Sequence, residues 1–458
     1  MAPALAAAGA LDFSFDIDGK QTTDFGGTGL SADEARALVI DANSKTVAVG
    51  GNGADSGFAL ARHDSTGNLD TTFDTDGKQT THFPDIVEGT ITRTITDEVA
   101  NAVALAADGK IVVAGTARVN GYTVFAVARY TTAGALDPTF DLDGMVITNS
   151  AAMTDGAVAF KDARGVAIDA SGNIVVVGSI RDVKDGVVSN GDFTVLRYTA
   201  SGALDTSFGS GGIVTTDMQE AVNVLPNPEG TDVANAVVIA GGKILVAGRN
   251  GIHSTLTAGG GADTDFAFAR YNSDGSLDTS FDLDGKAFVD AGYQDGANAL
   301  AVQGDGKIVA AGDVVPSALG SQGVMFQKRF NFALVRLEAN GLPDVSFANQ
   351  GSLNSDFSGG YDTATGVALQ ADGRIVAAGW AETGLDTGSY DFALARFTAN
   401  GSADSTFDTD GRLVTDFGGY DRAFGVAIYP SGTYAGRITA VGSGSTGGDF
   451  ALARYLAS

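Results

Sequence analysis

A four-residue pattern, Asp-x-Ser/Thr-Phe, recurs seven times along the chain. Its phenylalanines are Phe15, Phe73, Phe140, Phe208, Phe281, Phe347 and Phe407, spaced 58 to 73 residues apart. The aspartates three residues earlier are Asp12, Asp70, Asp137, Asp205, Asp278, Asp344 and Asp404. A chain repeating at such a period must stack like units, because one small unit cannot bury its apolar surface alone.

Each unit holds four short segments. One reads like Ala-Asn-Ala-Val-Ala-Leu and starts at Ala35, Ala100, Ala163, Ala234, Ala297, Ala364 and Ala423. The second resembles Lys110–Gly115, and the third resembles Asp449–Tyr455. The third always carries an arginine: Arg62, Arg129, Arg197, Arg270, Arg336, Arg396 or Arg454. The fourth, like Gly19–Gly27, follows the Phe motif. All are of strand length, rich in Val, Ile, Phe and Thr, and bounded by Gly, Asp or Asn turns. None offers a long helical stripe. With 64 Gly, 8 Pro and 44% hydrophobic residues, the chain has many tight turns and enough apolar mass for a core.

The third segment is mostly apolar on both faces, so its sheet must be covered on both. Radial stacking of four-stranded antiparallel sheets does this and predicts an all-β, seven-bladed β-propeller. The last unit lacks a fourth segment and residues 11–27 supply one, so the N-terminal strand is expected to complete the last blade and close the ring. Residues 11–458 are then one domain. Residues 1–10 read as a frayed end or a signal-peptide remnant.

The Phe motif is thus the joint between third and fourth strands. Its aspartate is expected to bond turn amides or pair with the third-strand arginine, and its phenylalanine to wedge between blades. A second reading is a cation loop at Asp16 and Asp18, Asp74 and Asp76, Asp141 and Asp143, Asp282 and Asp284, and Asp408 and Asp410, each pair preceding a glycine. The joints at Phe208 and Phe347 lack these pairs, which favours the structural reading.

The succession of joint, Ala-rich segment, Lys-Ile-Val-Val-Ala-Gly and Asp-Phe-Ala-Leu-Ala-Arg-Tyr resembles the bacterial delta-60 repeat family from about Leu11 to Tyr455. The resemblance implies a propeller-like fold in an exported or cell-surface bacterial protein. It implies no substrate.

Joints and tight turns share one face of such a propeller and vary little. Connections of variable length, such as Pro84–Val99, Met218–Val233, Ile180–Gly191, Asn250–Thr264 and Asp313–Phe330, share the other, which is the candidate ligand face. Asp33, Asp232, Asp295, Asp362 and Asp421 gather there, two residues before the first-strand alanine, with near equivalents at Asp97 and Asp162. Asp192, Asp265, Asp391 and Asp449 open third strands, with Asn331 in the same place. These carboxylates either cap strand ends or form a ring for calcium or a basic ligand. Trp380, the only tryptophan, is a candidate sugar platform or a packing residue.

A net charge of −27 argues against nucleic acid, and no apolar run is long enough to span a membrane. There is no cysteine for disulfide or thiolate chemistry. The three histidines, His63, His82 and His253, show no metal-pair spacing. The expected role is a non-enzymatic binding or scaffold propeller for a protein or glycan, requiring no cofactor and with calcium as the candidate ion. The alternatives are a calcium-dependent carbohydrate-binding module and a carboxylate-based hydrolase.

Overall fold

Val, Ile, Ala and Phe fill the repeated segments and glycine turns punctuate them, so each segment runs extended and then reverses. Between the first and second strands of one unit, Gly109 adopts a φ of +81° and Asp108 accepts the Lys110 amide at 3.1 Å. The computed structural model describes residues 7–26, 33–53, 56–148, 158–184, 187–188, 191–218, 232–252, 263–316, 329–357, 359–383, 389–444 and 448–457. Among these, the helical pieces are one turn at Asp16–Gly19 and a 3-10 turn at Gly432–Tyr434. No described helix is long and apolar enough to cross a membrane.

Apart from a short hairpin of Ile86–Glu88 with Ile91–Arg93, the strands form four-stranded antiparallel sheets, all but the last drawn from one repeat. Glu34–Ile40, Thr46–Gly51, Phe58–His63 and Lys78–Thr81 make one, and Ile95–Leu105, Ile111–Val119, Tyr122–Tyr130 and Met145–Thr148 the next. Val158–Ile168, Ile174–Lys184, Asp192–Tyr198 and Ile213–Thr216 follow, with Val187–Val188 added beside the second strand. Two further quartets start at Val233 and Gln294 and touch through one parallel bridge, Thr264 to Gln294. Asp362–Leu369, Ile375–Glu382, Tyr390–Phe397 and Arg412–Thr415 form another. The remaining sheet combines Arg422–Ile428, Ile438–Gly444 and Asp449–Tyr455 with Lys20–Thr23, Lys20 lying opposite Ala453 and Thr23 opposite Phe450. The molecule is all-β and propeller-like.

First strands pack on first strands. Glu34–Ile40 touches both Ile95–Leu105 and Arg422–Ile428. The apolar clusters span neighbouring sheets: Phe15 is buried with Ala35, Ala48 and Ala59 of one and Val441, Phe450 and Leu452 of another. Ala8 is also buried, and its carbonyl accepts the Asp408 amide, so the frayed end expected for residues 1–10 gives way at Ala8.

The joints are ionic clamps. Arg396 Nε donates to Asp404 at 2.8 Å, Nη2 donates to Thr406 at 3.0 Å, and Nη1 reaches the Ala457 carbonyl. Its guanidinium also lies 4.7 Å from the Phe407 ring. Arg454 repeats the set with Asp12, Ser14, Phe15 and the Ser65 carbonyl. Most joint aspartates have a second cation at the start of the second strand. Lys307, for example, lies 2.8 Å from Asp344. Burial pushes the Asp344 carboxyl up, but hydrogen bonds from Lys307 and Ser346 and the nearby Arg336 hold it well below the usual carboxylate range.

Candidate functional site

Each first strand is bulged. Its register with the second strand slips between Ala35 and Ala37, Ala100 and Ala102, Ala163 and Gly165, Ala234 and Ala236, Ala297 and Ala299, Ala364 and Gly366, and Ala423 and Gly425. A bulge leaves one residue unpaired and re-aims its side chain. The glycine ending each second-strand motif faces this bulge. A Cβ on Gly312 would sit 1.8 Å from the Gly296 carbonyl oxygen, and one on Gly248 the same distance from that of Val233.

The bulge residues are Arg36, Asn101, Arg164, Asn235, Asn298, Thr365 and Phe424, and all of them line one cavity of about 660 Å3. They link around it: Arg36 donates to Asn101 at 2.8 Å and Arg164 to Asn235 at 3.2 Å. Asn101, Asn235, Asn298 and Thr365 each donate to the carbonyl of the constant alanine in the next unit, at 2.7 to 2.9 Å. Four arginine–carboxylate pairs complete the wall: Arg36 with Glu34, Arg118 with Asp97, Arg164 with Asp162 and Arg249 with Asp313, at 3.0 to 3.5 Å. The lining therefore offers donors and acceptors of both charge signs in alternation.

The sequence-predicted carboxylates lie at the same end of the strands. Among the described residues, four places gather three aspartates so that one oxygen of each lies within 4.8 Å of the others. The groups are Asp24, Asp33 and Asp449; Asp192, Asp217 and Asp232; Asp265, Asp290 and Asp295; and Asp391, Asp416 and Asp421. Asp33, Asp232, Asp295 and Asp421 from first strands thus meet the aspartates that open third strands. The third member, Asp24, Asp217, Asp290 or Asp416, directly follows a fourth strand and was missed by sequence reasoning, although a Thr-Asp or Val-Asp pair marks it each time. Asp232 accepts the amides of Met218 at 2.8 Å and Gly251 at 3.0 Å. Burial outweighs those bonds and, with Asp217 and Asp192 nearby, pushes its carboxyl up to about 7. Burial likewise pushes Asp295 up to about 8 and Asp362 up to about 6. Hard cations such as calcium take oxygen ligands of this type.

Other sequence candidates have different surroundings. Asp18, Asp76, Asp143, Asp284 and Asp410 each accept the amide two residues on, at 2.8 to 2.9 Å. Their partners Asp16, Asp74, Asp141, Asp282 and Asp408 adopt φ of +38° to +45°. Among the described residues, none of these ten joins a three-carboxylate group. His63 is buried, His82 lies 3.6 Å from Glu98, and His253 falls outside the described residues. Most of the long connections expected to carry specificity also fall outside them. The bulge residues were not singled out from sequence. Their signal was one variable, mostly polar position inside an otherwise apolar strand.

Bulged first strands around a polar cavity, in stacked four-stranded sheets, define a propeller-like repeat protein. The family described as "Domain of unknown function (DUF5122) beta-propeller" matches residues 106–140, 170–208, 255–281 and 370–407, parts of four of these units. No curated protein matches the chain. Among solved structures it is similar to an ulvan lyase of a new polysaccharide lyase family, with 10% identity over 93% of this chain and 94% of that one and a TM-score of 0.47. It is similar to a second polysaccharide lyase at 13% identity, covering 99% and 98% of the two chains with a TM-score of 0.46. It is also similar to an α-L-arabinanase from Penicillium chrysogenum solved with arabinobiose, at 7% identity, 99% and 98% coverage and a TM-score of 0.42.

These matches correct the expectation of a non-enzymatic scaffold. The solved structures that align with this chain are polysaccharide lyases and an arabinanase by their titles, against an expectation that favoured a scaffold and held enzymatic activity to be the less favoured reading. At such identities and TM-scores, no substrate or residue role passes to this chain. What it handles must be argued from its own residues.

Proposed function

We propose that the chain is a seven-bladed propeller of the delta-60 kind, closed by Lys20–Thr23, whose axial cavity binds carbohydrate with the help of divalent cations on the same face. Closure is supported by the Lys20–Ala453 register and by Arg454 reaching the Ser65 carbonyl at 2.6 Å. One observation carries the functional reading: the bulge residue of every repeat converges on a single polar cavity of about 660 Å3. Alternating amides, guanidinium groups and carboxylates, with Phe424 as an apolar patch, complement a ligand dense in hydroxyls, which both donates and accepts. The three-aspartate groups supply the oxygen donors a calcium ion prefers and cluster at the same strand ends.

Calorimetric titration with a panel of oligosaccharides, in calcium and then in EDTA, tests this. Binding should be saturable in calcium and lost in EDTA. It should weaken roughly tenfold or more in Arg164→Met, because a charged hydrogen-bond donor is removed. Following the same mixtures for new reducing ends or unsaturated products tests cleavage. Failure of every glycan to bind, or unchanged affinity in Arg164→Met, would remove the reading.

A further inference from the structure

Each second strand carries, just after its constant glycine, a residue next to the bulge of the first strand. In several units it is a cavity-lining residue: Thr116, Arg249 or Asp313. In one unit the same position holds Trp380, which pairs with the cavity-lining Thr363. The Trp380 ring meets Tyr390 at 4.9 Å and 77°, and Tyr390 meets Tyr420 at 6.4 Å. Arg422, two residues before the bulge residue Phe424, lays its guanidinium over both inner rings, 5.0 Å from Trp380 and 4.9 Å from Tyr390. Its Nε is buried without a hydrogen-bond partner. Tyr420 is 67% exposed.

The Arg422 Nε is enclosed but the side chain as a whole is only half-buried, and the exposed Tyr420 ring stands beside the Tyr390 ring that the guanidinium covers. A pyranose or furanose ring fits an aromatic face with a guanidinium beside it. Its C–H face covers Tyr420, and its hydroxyls accept from the part of the Arg422 guanidinium that is not enclosed. Two aromatic rings already fix the guanidinium plane, so little freedom is lost on binding.

The charge around the mouth then selects among sugars. Asp391, Asp416 and Asp421 are interleaved with Tyr390, Tyr420 and Arg422 in the chain, and three like groups lie at equivalent strand ends. The whole chain carries 55 acidic against 28 basic residues, an excess that survives the filling of every aspartate group by a divalent ion. Uronate-bearing or sulfated polymers would approach against that field.

We propose that Tyr420 and Arg422, held by Trp380 and Tyr390, form a mouth subsite for neutral, hydroxyl-rich polysaccharides, and that the surrounding carboxylates exclude acidic ones. This rests on the carbohydrate reading of the axial cavity and adds the class of sugar to it.

Trp380 is the only tryptophan, so its fluorescence reports this subsite without a label. The full-length protein in calcium would be titrated with arabinan, galactan and dextran, and in parallel with polygalacturonate, alginate and dextran sulfate. At least one neutral polymer should shift Trp380 emission saturably, and the acidic polymers should neither shift it nor compete. Tyr420→Ala and Arg422→Met should each weaken binding roughly tenfold with wild-type melting temperatures, and Tyr420→Phe should retain it. Acidic polymers that bind as tightly as neutral ones would overturn the proposed selectivity. Neutral binding unaltered in both Tyr420→Ala and Arg422→Met would overturn the subsite and leave the cavity reading standing. Absence of binding to all six polymers would overturn both.

Discussion

One buried side chain departs from a contact that four other units share. At the end of the third strand, Tyr130, Tyr198, Tyr271 and Tyr455 each bond a buried threonine hydroxyl of a neighbouring fourth strand, at 2.6 to 2.8 Å. The equivalent residue facing Thr23 is His63, with Nε2 2.9 Å from the threonine oxygen and Nδ1 without a partner. Burial pulls the imidazole down from 6.5 to about 4. A folded-state value below the unfolded one means that stability is fully present above pH 6.5 and is lost as pH falls toward 4. The loss at full protonation is up to about 3 kcal/mol. His63→Tyr should restore the tyrosine–threonine bond and remove that part of the acid sensitivity. Melting temperatures of wild type and variant at pH 7, 5.5 and 4 check this. Curves that stay parallel would show that His63 does not carry the effect.

At the scale of the strand pair, the constant glycine and the bulge form one device. The bulge turns Asn298 inward only because Gly312 lets the Gly296 carbonyl approach where a Cβ would stand. Gly312→Ala should therefore do two things together. It should cost at least about 2 kcal/mol through overpacking. It should also displace Asn298 and Asp313 from the cavity wall, weakening any ligand that binds there. Gly304→Ala is the control, since its Cβ would meet nothing within 4 Å and should change neither quantity. Thermal unfolding and glycan titration of both variants separate the bulge from glycine content in general. The joints act at the same scale. Each arginine bonds the aspartate of its joint and a carbonyl of the next unit, and six of the seven also bond the joint hydroxyl, so ionic contacts tie sheet to sheet where the apolar strands end.

For the whole molecule, the proposed closure makes the last sheet depend on both ends of the chain. Asp12, Ser14 and Phe15 complete around Arg454 the clamp that Asp70, Thr72 and Phe73 make around Arg62. Thr22 lies opposite Ala451. A double variant, Thr22→Cys with Ala451→Cys, should crosslink under mild oxidation without change of oligomeric state, and the crosslink should raise the melting temperature. Deleting residues 1–26 should bare the edge of Asp449–Tyr455 and yield an aggregating protein, because an unpaired edge templates strand addition. A monomeric, unaltered deletion variant would count against closure.

The sequence by itself determined the unit: its period, its four strands, its joint of Asp, Ser/Thr, Phe and Arg, and the glycine that ends each second-strand motif. These features were legible because they are local and repeat, and a strand alternation or a turn glycine has the same meaning wherever it falls. It also pointed to Asp33, Asp232, Asp295 and Asp421, but not to their third partners, and it offered Asp18 as a cation ligand where the fold uses it to receive the Lys20 amide. Only the tertiary structure decided the rest. A bulge is a mismatch of two residues against one and does not exist until the partner strand is in place, so Arg36, Asn101 and Arg164 could not be read as cavity residues from their own segments. Asp24 and Asp449 stand at opposite ends of the chain and share a cluster only because the last sheet borrows its fourth strand from the beginning. The stacking of Arg422 on Trp380 and Tyr390 likewise joins three strands. Local chemistry sets the form of each unit, and the side chains available to a ligand are set by how the units meet.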